Sequence, residues 1–306
     1  MKGKYKYRIY GLTVASELEI PEADVLDLSD TADIDVSVEV GKIPDFLRAC
    51  KENGYGTWTN GVRDAWFYTP GTAQYYVEKG KRIIVQPEGG NNAALLVSMI
   101  LSAAMCLILL QRMEPVIHGS AIVIDGRALI ISGSSGVGKS TVTNSFLQDG
   151  VGFLADDTVR LHMAEGNLYA EPTYPQQKIC RDMAVQNGYD LEKLRYIDEG
   201  RDKFALSRRK EYVRMPVPVT HMFILEKTER GEVYSENIVG GKFLNAFIDN
   251  LYLEHTYRKS VGLPPELMLK IVTMSNYLHI YRVYRPAQGD SIKDVKKEIR
   301  KLLQLC

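Results

Sequence analysis

The sequence has no excess of charge of either sign: 38 Lys and Arg balance 38 Asp and Glu in 306 residues. A general nucleic-acid binder needs a cationic surplus to displace counterions from phosphate, so that role is excluded. Cysteine is scarce. Cys50, Cys106, Cys180 and Cys306 include no C-x-x-C pair, which points to free thiols in a reducing cytoplasm. Internal repeats and low-complexity tracts are absent, and the 45% hydrophobic share is that of an ordinary globular chain. Met1 to Tyr10 is basic without an apolar run, so no signal peptide is read there. Long apolar runs are also lacking, with one exception. Ala93 to Leu110 is uncharged and broken only by Ser98 and Ser102, long enough to cross a membrane. Ala, Ser, Met and Cys dilute it, no Trp or Tyr belt flanks it, Asn91 and Asn92 offer N-caps, and Arg112 lies near its end. A helix buried within the protein is expected, with no membrane partner.

Basic residues are missing from one whole stretch. Between Ile9 and Gly41 there is no Lys or Arg, yet nine carboxylates occur. Residues 1–115 carry 12 basic and 15 acidic side chains and residues 116–306 carry 26 and 23, so a neutral total conceals an acidic front and a basic back. Two regions are expected. Residues 1–115 read as strands (Tyr5 to Leu12, Ile34 to Val40, Ala65 to Tyr68, Gln74 to Glu78, Arg82 to Gln86) ending in the apolar helix. Residues 116–306 open with two apolar runs around Asp125-Gly126, a strong hairpin signal. A helix follows at Ser140 to Leu147, then a strand from Phe153 to Leu161. Strands at His221 to Leu225 and His279 to Tyr284 and helices at Pro265 to Leu278 and Ser291 to Leu305 complete the pattern. In the last, Ile292, Val295, Ile299, Leu302 and Leu303 form one stripe. The class is α/β with mixed sheets, preceded by a β-rich region.

Gly133-Ser134-Ser135-Gly136-Val137-Gly138-Lys139-Ser140 matches GxxxxGK[ST] in full, between an expected strand and an expected helix. Its glycines let the backbone wrap phosphate, and its N–H groups and the helix start supply positive charge. Lys139 would reach the β- and γ-phosphates, the Ser140 hydroxyl would hold Mg²⁺, and Thr141 would lie against the same nucleotide. ATP and Mg²⁺ are the expected ligands.

Hairpin register places a histidine beside this loop. With a two-residue turn at Asp125-Gly126, paired positions sum to 251 and His118 falls opposite Gly133. Such partners lie about 5 Å apart at Cα. His118 would hold a phosphate or assist proton transfer. His162, His221, His255 and His279 show no metal-ligand spacing and read as structural. Asp156 and Asp157 follow the loop helix at the end of an apolar strand, where alternation turns them opposite ways unless the strand bulges. One would bind Mg²⁺ and the other would take the proton of an attacking hydroxyl.

His118-Gly119-Ser120, the glycine loop and Ala155-Asp156-Asp157 together resemble the HPr kinase/phosphorylase family, whose P-loop is related to that of phosphoenolpyruvate carboxykinase. The histidine lies 21 residues before Lys139 and Asp157 lies 18 after it. The resemblance is strong over His118 to Leu161 and loose beyond. It implies Asp157 as base, His118 as its catalytic partner and Asp156 as a supporting metal or phosphate ligand. The family's LEIRGLG-type segment with its Glu ligand is absent. Tyr174-Pro175-Gln176-Gln177-Lys178 stands there, with Glu171 and Asp182 as possible replacement ligands. Tyr10-Gly11-Leu12 and Ser16 to Pro21 look like HPr-kinase-related proteins of peptide gene clusters, a group including kinases of the C-terminal serine of lasso-peptide precursors. Tyr174 to Lys178 and Tyr284-Arg285-Pro286 also fit that group. Finally, the basic stretch around Arg201, Lys203, Arg208, Arg209, Lys210 and Arg214 could clamp phosphate, with Arg201 and Lys203 the chosen pair. The combined expectation is a cytoplasmic Mg²⁺-ATP-dependent kinase of a serine on a peptide or small protein. HPr or free serine is the alternative acceptor, a non-catalytic nucleotide-binding regulator is the alternative class, and a homo-oligomer is left open.

Overall fold

The computed structural model describes residues 4–29, 31–90, 92–198, 202–252 and 262–304. Asn91, Arg201, His255 and Cys306 lie outside the described residues. The chain is a mixed α/β protein with more than one sheet, and it divides into two compact units. The first draws on Met1–Val116, Cys180–Ala205 and Leu253–Met268; the second on Ile117–Ile179, Leu206–Tyr252 and Leu269–Cys306.

The first unit is built on an eight-stranded mixed sheet of β1 (Tyr5–Ile9), β2 (Leu12–Ser16), β3 (Asp24–Val25), β4 (Val36–Val40), β5 (Thr57–Asn60), β6 (Asp64–Thr69), β7 (Ala73–Glu78) and β8 (Arg82–Pro87), in the order β3-β1-β2-β4-β8-β7-β6-β5. The pairs β2–β4 and β4–β8 are parallel and the rest antiparallel. The expected single strand Tyr5 to Leu12 is instead a hairpin, with Ile9 opposite Leu12. Tyr10 and Gly11 both take positive φ, 54° and 71°, the geometry of a type I′ turn. Tyrosine is an unusual occupant, and its burial explains it. The ring is fully buried and its hydroxyl donates to Leu101 O at 3.0 Å.

That carbonyl belongs to the apolar helix, α2 (Ala93–Gln111), in which Ile100–Ala104 forms a π turn. Asn92 Oδ1 caps its start by accepting from Leu95 N at 2.8 Å. Arg112 closes its end by donating to Gly80 O and Asp35 O. The helix is long and apolar enough to cross a membrane by length, and most of it is buried. A short helix, α1 (Phe46–Glu52), sets Leu47 against Trp66 and Ile84. The sequence cut the chain once, at 115/116. The structure divides between Val116 and Ile117 and also assigns Cys180–Ala205 to the first unit, where β15 (Arg195–Asp198), paired with β16 (Lys203–Ser207), packs on the first turns of α2.

In the second unit, β9 (Val116–Ile124) and β10 (Arg127–Gly133) form the expected hairpin with the expected register. Six pairs run from Arg127↔Ile124 to Ser132↔Gly119. Asp125 and Gly126 have φ of 49° and 74°. Strands β11 (Gly152–Ala155), β12 (Thr158–Ala164), β13 (Asn167–Ala170), β17 (Val217–Thr228), β18 (Tyr234–Ile238) and β19 (His279–Pro286) complete the sheet. Its pairings close on themselves through β10, β9, β12, β13 and β17, because β17 pairs with both β13 and β10. Strands β10, β17 and β19 are mutually parallel, so their C-terminal ends share one edge. Helix α6 (Pro265–Met274) precedes β19; helices α3 (Lys139–Leu147) and α7 (Ile292–Leu303) pack together, and Val142, Phe146, Val295, Ile299 and Leu302 share one core cluster with Ile131 and Leu225. The stripe read from the sequence faces that core.

His221 lies in this unit as a buried structural residue. Its ring stacks on Phe223 and Tyr281 and abuts His279, to which the parallel register pairs it. Burial, with a smaller push from His279, lowers its pKa to about 4. The unfolded chain therefore takes up a proton near pH 6.5 that the folded chain refuses until about pH 4. Stability must fall as pH drops through that window, by up to about 3 kcal/mol. His221→Phe is expected to flatten the decline in urea-unfolding free energy between pH 6.5 and 4. An unchanged slope would assign the decline to other groups.

Candidate active site

The matched loop lies between β10 and α3, so strand, loop and helix follow in the expected order. Gly133, Gly136 and Gly138 take φ of 132°, 77° and 107°, conformations open to glycine at little cost. At Gly133 space is also decisive: a Cβ would meet Leu225 O of β17 at 2.5 Å. Ser134, Ser135 and Gly136 are exposed, while Val137 turns its side chain into the core and pins the loop from below. Helix α3 begins after Gly138 with no side-chain cap and no acidic residue in its first turn. Its first N–H groups therefore carry the positive end of the helix dipole toward an anion. Lys139 Nζ lies across the loop, donating to Gly133 O at 2.7 Å and Ser134 O at 3.1 Å. Ser140 and Thr141 follow, half-buried, on the first turn.

Arg285 also reaches this loop. Leu225 pairs with both Gly133 and Val283, which carries Arg285, two residues on, past the end of β10. Its Nη1 donates to Val137 O at 3.1 Å and its Nε to Ser291 Oγ at 3.1 Å. Arg285 and the loop thus meet at the C-terminal ends of the parallel strands.

His118 stands on β9, one residue beyond the last pair with β10. Its backbone N–H donates to Asn250 O, just after α5 (Gly241–Asp249). Ser132 Oγ lies 2.7 Å from His118 O and 2.6 Å from Asn250 Oδ1, fastening the end of β10 to both. The imidazole packs near Tyr252, and its Nδ1 is 3.1 Å from Asp157 O. A carbonyl only accepts, so Nδ1 carries the hydrogen and Nε2 is left as an acceptor. Burial lowers the His118 pKa; Asp157 pulls it up, and Lys139 and Lys178 push it further down. A neutral ring at pH 7 follows.

The expected strand Phe153 to Leu161 breaks in two at the aspartates. Asp157 adopts left-handed φ, 69°, at a cost of about 1 kcal/mol. Its O accepts both Gly119 N–H and the His118 ring. The break lets both carboxylates reach one residue. Asp156 Oδ2 accepts the backbone N–H of Lys178 at 2.8 Å, and Asp157 Oδ2 accepts Lys178 Nζ at 2.9 Å. Asp157 Oδ1 is 3.9 Å from His118 Nδ1. Asp156 is buried, and its Oδ1 accepts Ser120 Oγ at 2.6 Å. Burial pushes its carboxyl above the usual range, against those two hydrogen bonds. The resemblance made Asp156 a supporting metal or phosphate ligand; in the structure its two oxygens accept from Ser120 and Lys178 and brace the strand break. Ser120→Ala would leave a buried oxygen without its hydroxyl partner. A loss of about 1–3 kcal/mol in unfolding free energy is expected.

Lys178 sits on β14 (Gln176–Cys180), and its neighbour Gln177 faces the other way. Gln177 Nε2 donates to Ser140 O at 3.3 Å, and its Oε1 accepts from Arg208, which also donates to Asn144 of α3. Of the basic stretch, Arg208 is thus a buried strut beneath the loop helix, and Arg214 lies over the Tyr212 ring. Lys203 pairs with Asp198 in the first unit. Asp182 is in the first turn of α4 (Arg181–Gln186), also in the first unit, and Glu171 faces His162 at 3.4 Å. Among the described residues no group of three or more His, Cys, Asp or Glu is arranged to hold a metal ion.

Lys178 and Arg285 went unassigned in the sequence. Each lay in a segment that the resemblance had singled out, Tyr174 to Lys178 and Tyr284-Arg285-Pro286, but without a role; that of Arg285 follows from the parallel trio, which no local pattern reveals.

No protein-family model matches the chain, and no curated protein matches it. Among solved structures, the Hpr(Ser) kinase/phosphatase from Coxiella burnetii is similar at 14% identity and a TM-score of 0.33, over 62% of this chain and 91% of that chain. At that identity and TM-score the likeness assigns neither activity nor substrate.

Proposed function

We propose that this protein is a cytoplasmic Mg²⁺-ATP-dependent phosphotransferase that moves the γ-phosphoryl group to a serine hydroxyl, with an HPr-kinase-like P-loop core in residues 116–306. One observation carries the reading: the β9–β10 pairing ends beside His118 and Gly133, Gly133 O accepts Lys139 Nζ at 2.7 Å, and the His118 ring lies 3.1 Å from Asp157 O and 3.9 Å from its Oδ1. A phosphate-binding cation and a carboxylate that can take a proton thus share one locality.

The residues fit a nucleotide. Gly133, Gly136 and Gly138 take positive φ, Ser134 to Gly136 are exposed, and the start of α3 has no side-chain cap. The loop amides and Lys139 would hold the triphosphate, with the Ser140 hydroxyl toward Mg²⁺. Bound Mg²⁺ would neutralise charge on the β- and γ-phosphates. Asp157 takes the acceptor's proton as the serine oxygen bonds to phosphorus and the bond to ADP breaks. His118, neutral and with Nε2 as acceptor, orients that hydroxyl.

The acceptor we favour is the C-terminal serine of a lasso-type precursor peptide, on the resemblance of Tyr174 to Lys178 and Tyr284 to Pro286. The Tyr10-Gly11-Leu12 motif supports only a shared first unit, because its residues form a buried turn. The test is γ-labelled ATP with Mg²⁺ and three acceptors: a Ser-ending precursor peptide, HPr and free serine. Label on the peptide is expected. Label on another acceptor moves the substrate assignment, and none on any of them overturns the kinase reading.

A further inference from the structure

We infer that Lys178 is a positioning residue for the proposed transfer: it aims the Asp157 carboxylate from a strand that is also fastened to the loop helix. The inference rests on the kinase reading and adds a residue to it.

Three contacts carry it. The Lys178 ammonium donates to Asp157 Oδ2 at 2.9 Å. Its backbone N–H donates to Asp156 Oδ2 at 2.8 Å, so the point from which the side chain leaves is itself held by a buried carboxyl. Gln177, on the opposite face of β14, holds Ser140 O, so one strand touches both the loop helix and the strand break. The Lys178 side chain is 15% exposed and that of Asp157 24%, which keeps the pair largely out of solvent screening.

Asp157 stands at the break between β11 and β12 with its backbone in a left-handed conformation, so its carboxylate leaves the chain outside the regular alternation of a strand. With Oδ2 held by Lys178, Oδ1 is the oxygen turned toward His118. A positioned carboxylate separates reactive from unreactive poses of the hydroxyl; a misplacement of about 1 Å costs on the order of 10²-fold in rate. A lysine acting only as a stabilising ion pair would show its loss in unfolding and not in turnover.

The experiment compares Lys178→Met and Lys178→Arg with the wild type in full-length protein. It reads kcat and KM for ATP with the labelled acceptor, ATP affinity by calorimetry, and the thermal midpoint. For Lys178→Met the expected result is a fall in kcat of about 10- to 100-fold. KM for ATP and calorimetric affinity stay within about threefold, the midpoint moves by less than about 3 °C, and Lys178→Arg recovers at least about tenfold of the loss. The inference is overturned if Lys178→Met keeps the wild-type kcat. It is also overturned if both variants lose activity equally with a matching drop in midpoint. A wild type that binds ATP but labels no acceptor overturns the kinase reading itself, a separate outcome visible before any variant is compared.

Discussion

Asp157→Asn is expected to lower phosphate transfer by about 10³-fold while leaving ATP affinity within about threefold. Asparagine is nearly the same size, can still accept from Lys178, and leaves the backbone carbonyl that holds His118 and Gly119 in place. What it cannot do is take a proton. In the proposed mechanism the loop amides and Lys139 hold the nucleotide, so binding has no reason to change. Single-turnover transfer and calorimetric ATP binding on the same preparation decide it. Transfer at the wild-type rate would remove Asp157 as base. Loss of binding and transfer together would mean that the strand break supports the loop. ATP binding with no transfer in the wild type itself would favour a nucleotide-binding regulator.

Gly133→Ala is expected to have the largest effect on the fold. Its φ of 132° is glycine territory, and an added Cβ meets Leu225 O at 2.5 Å and Val137 Cγ1 at 3.1 Å. Leu225 is the residue with which Gly133 pairs in the parallel β10–β17 ladder, so relief means separating the strands that bring the loop and Arg285 together. A loss of about 3 kcal/mol or more is expected, with a fall in thermal midpoint of roughly 6–12 °C. Added ATP, which stabilises a folded state that binds it, should no longer raise the midpoint. Gly126→Ala is the matched control. Its φ is also positive, 74°, but nothing lies within 4 Å of the new methyl, so strain alone acts, at about 1 kcal/mol. Equal losses in the two variants would refute the steric account.

Legibility from sequence followed the range of the physics involved. The β9–β10 register was readable because Asp-Gly turns accept two left-handed residues, and a two-residue loop leaves one way to pair the strands. The same turn at Tyr10-Gly11 was missed. Its first residue is there for a contact 91 positions away, the bond from Tyr10 to Leu101 O. The α7 stripe was readable because helical period and core contact coincide. The break between Asp156 and Asp157 was not, since nothing local forbids a strand there. Ser120, Lys178 and Gly119, from two other strands, determine how the two aspartates are held.

Taken by itself, the sequence determined the chemistry on offer: a glycine loop that can wrap phosphate, a lysine at its end, a histidine set beside it by hairpin register, and two carboxylates. These follow from residue type and short spacing, where each cause lies within a few residues of its effect. Tertiary structure decided the rest. It turned Asp156 into a brace and Arg208 into a strut, placed Lys203 in the first unit, and brought Lys178 and Arg285 to the aspartate and the loop. The place of Arg285 depends on the register of parallel strands joined by long crossovers, and the others on contacts between elements far apart in the chain. Such a register is set by how whole faces bury against one another, which no short stretch of chain encodes.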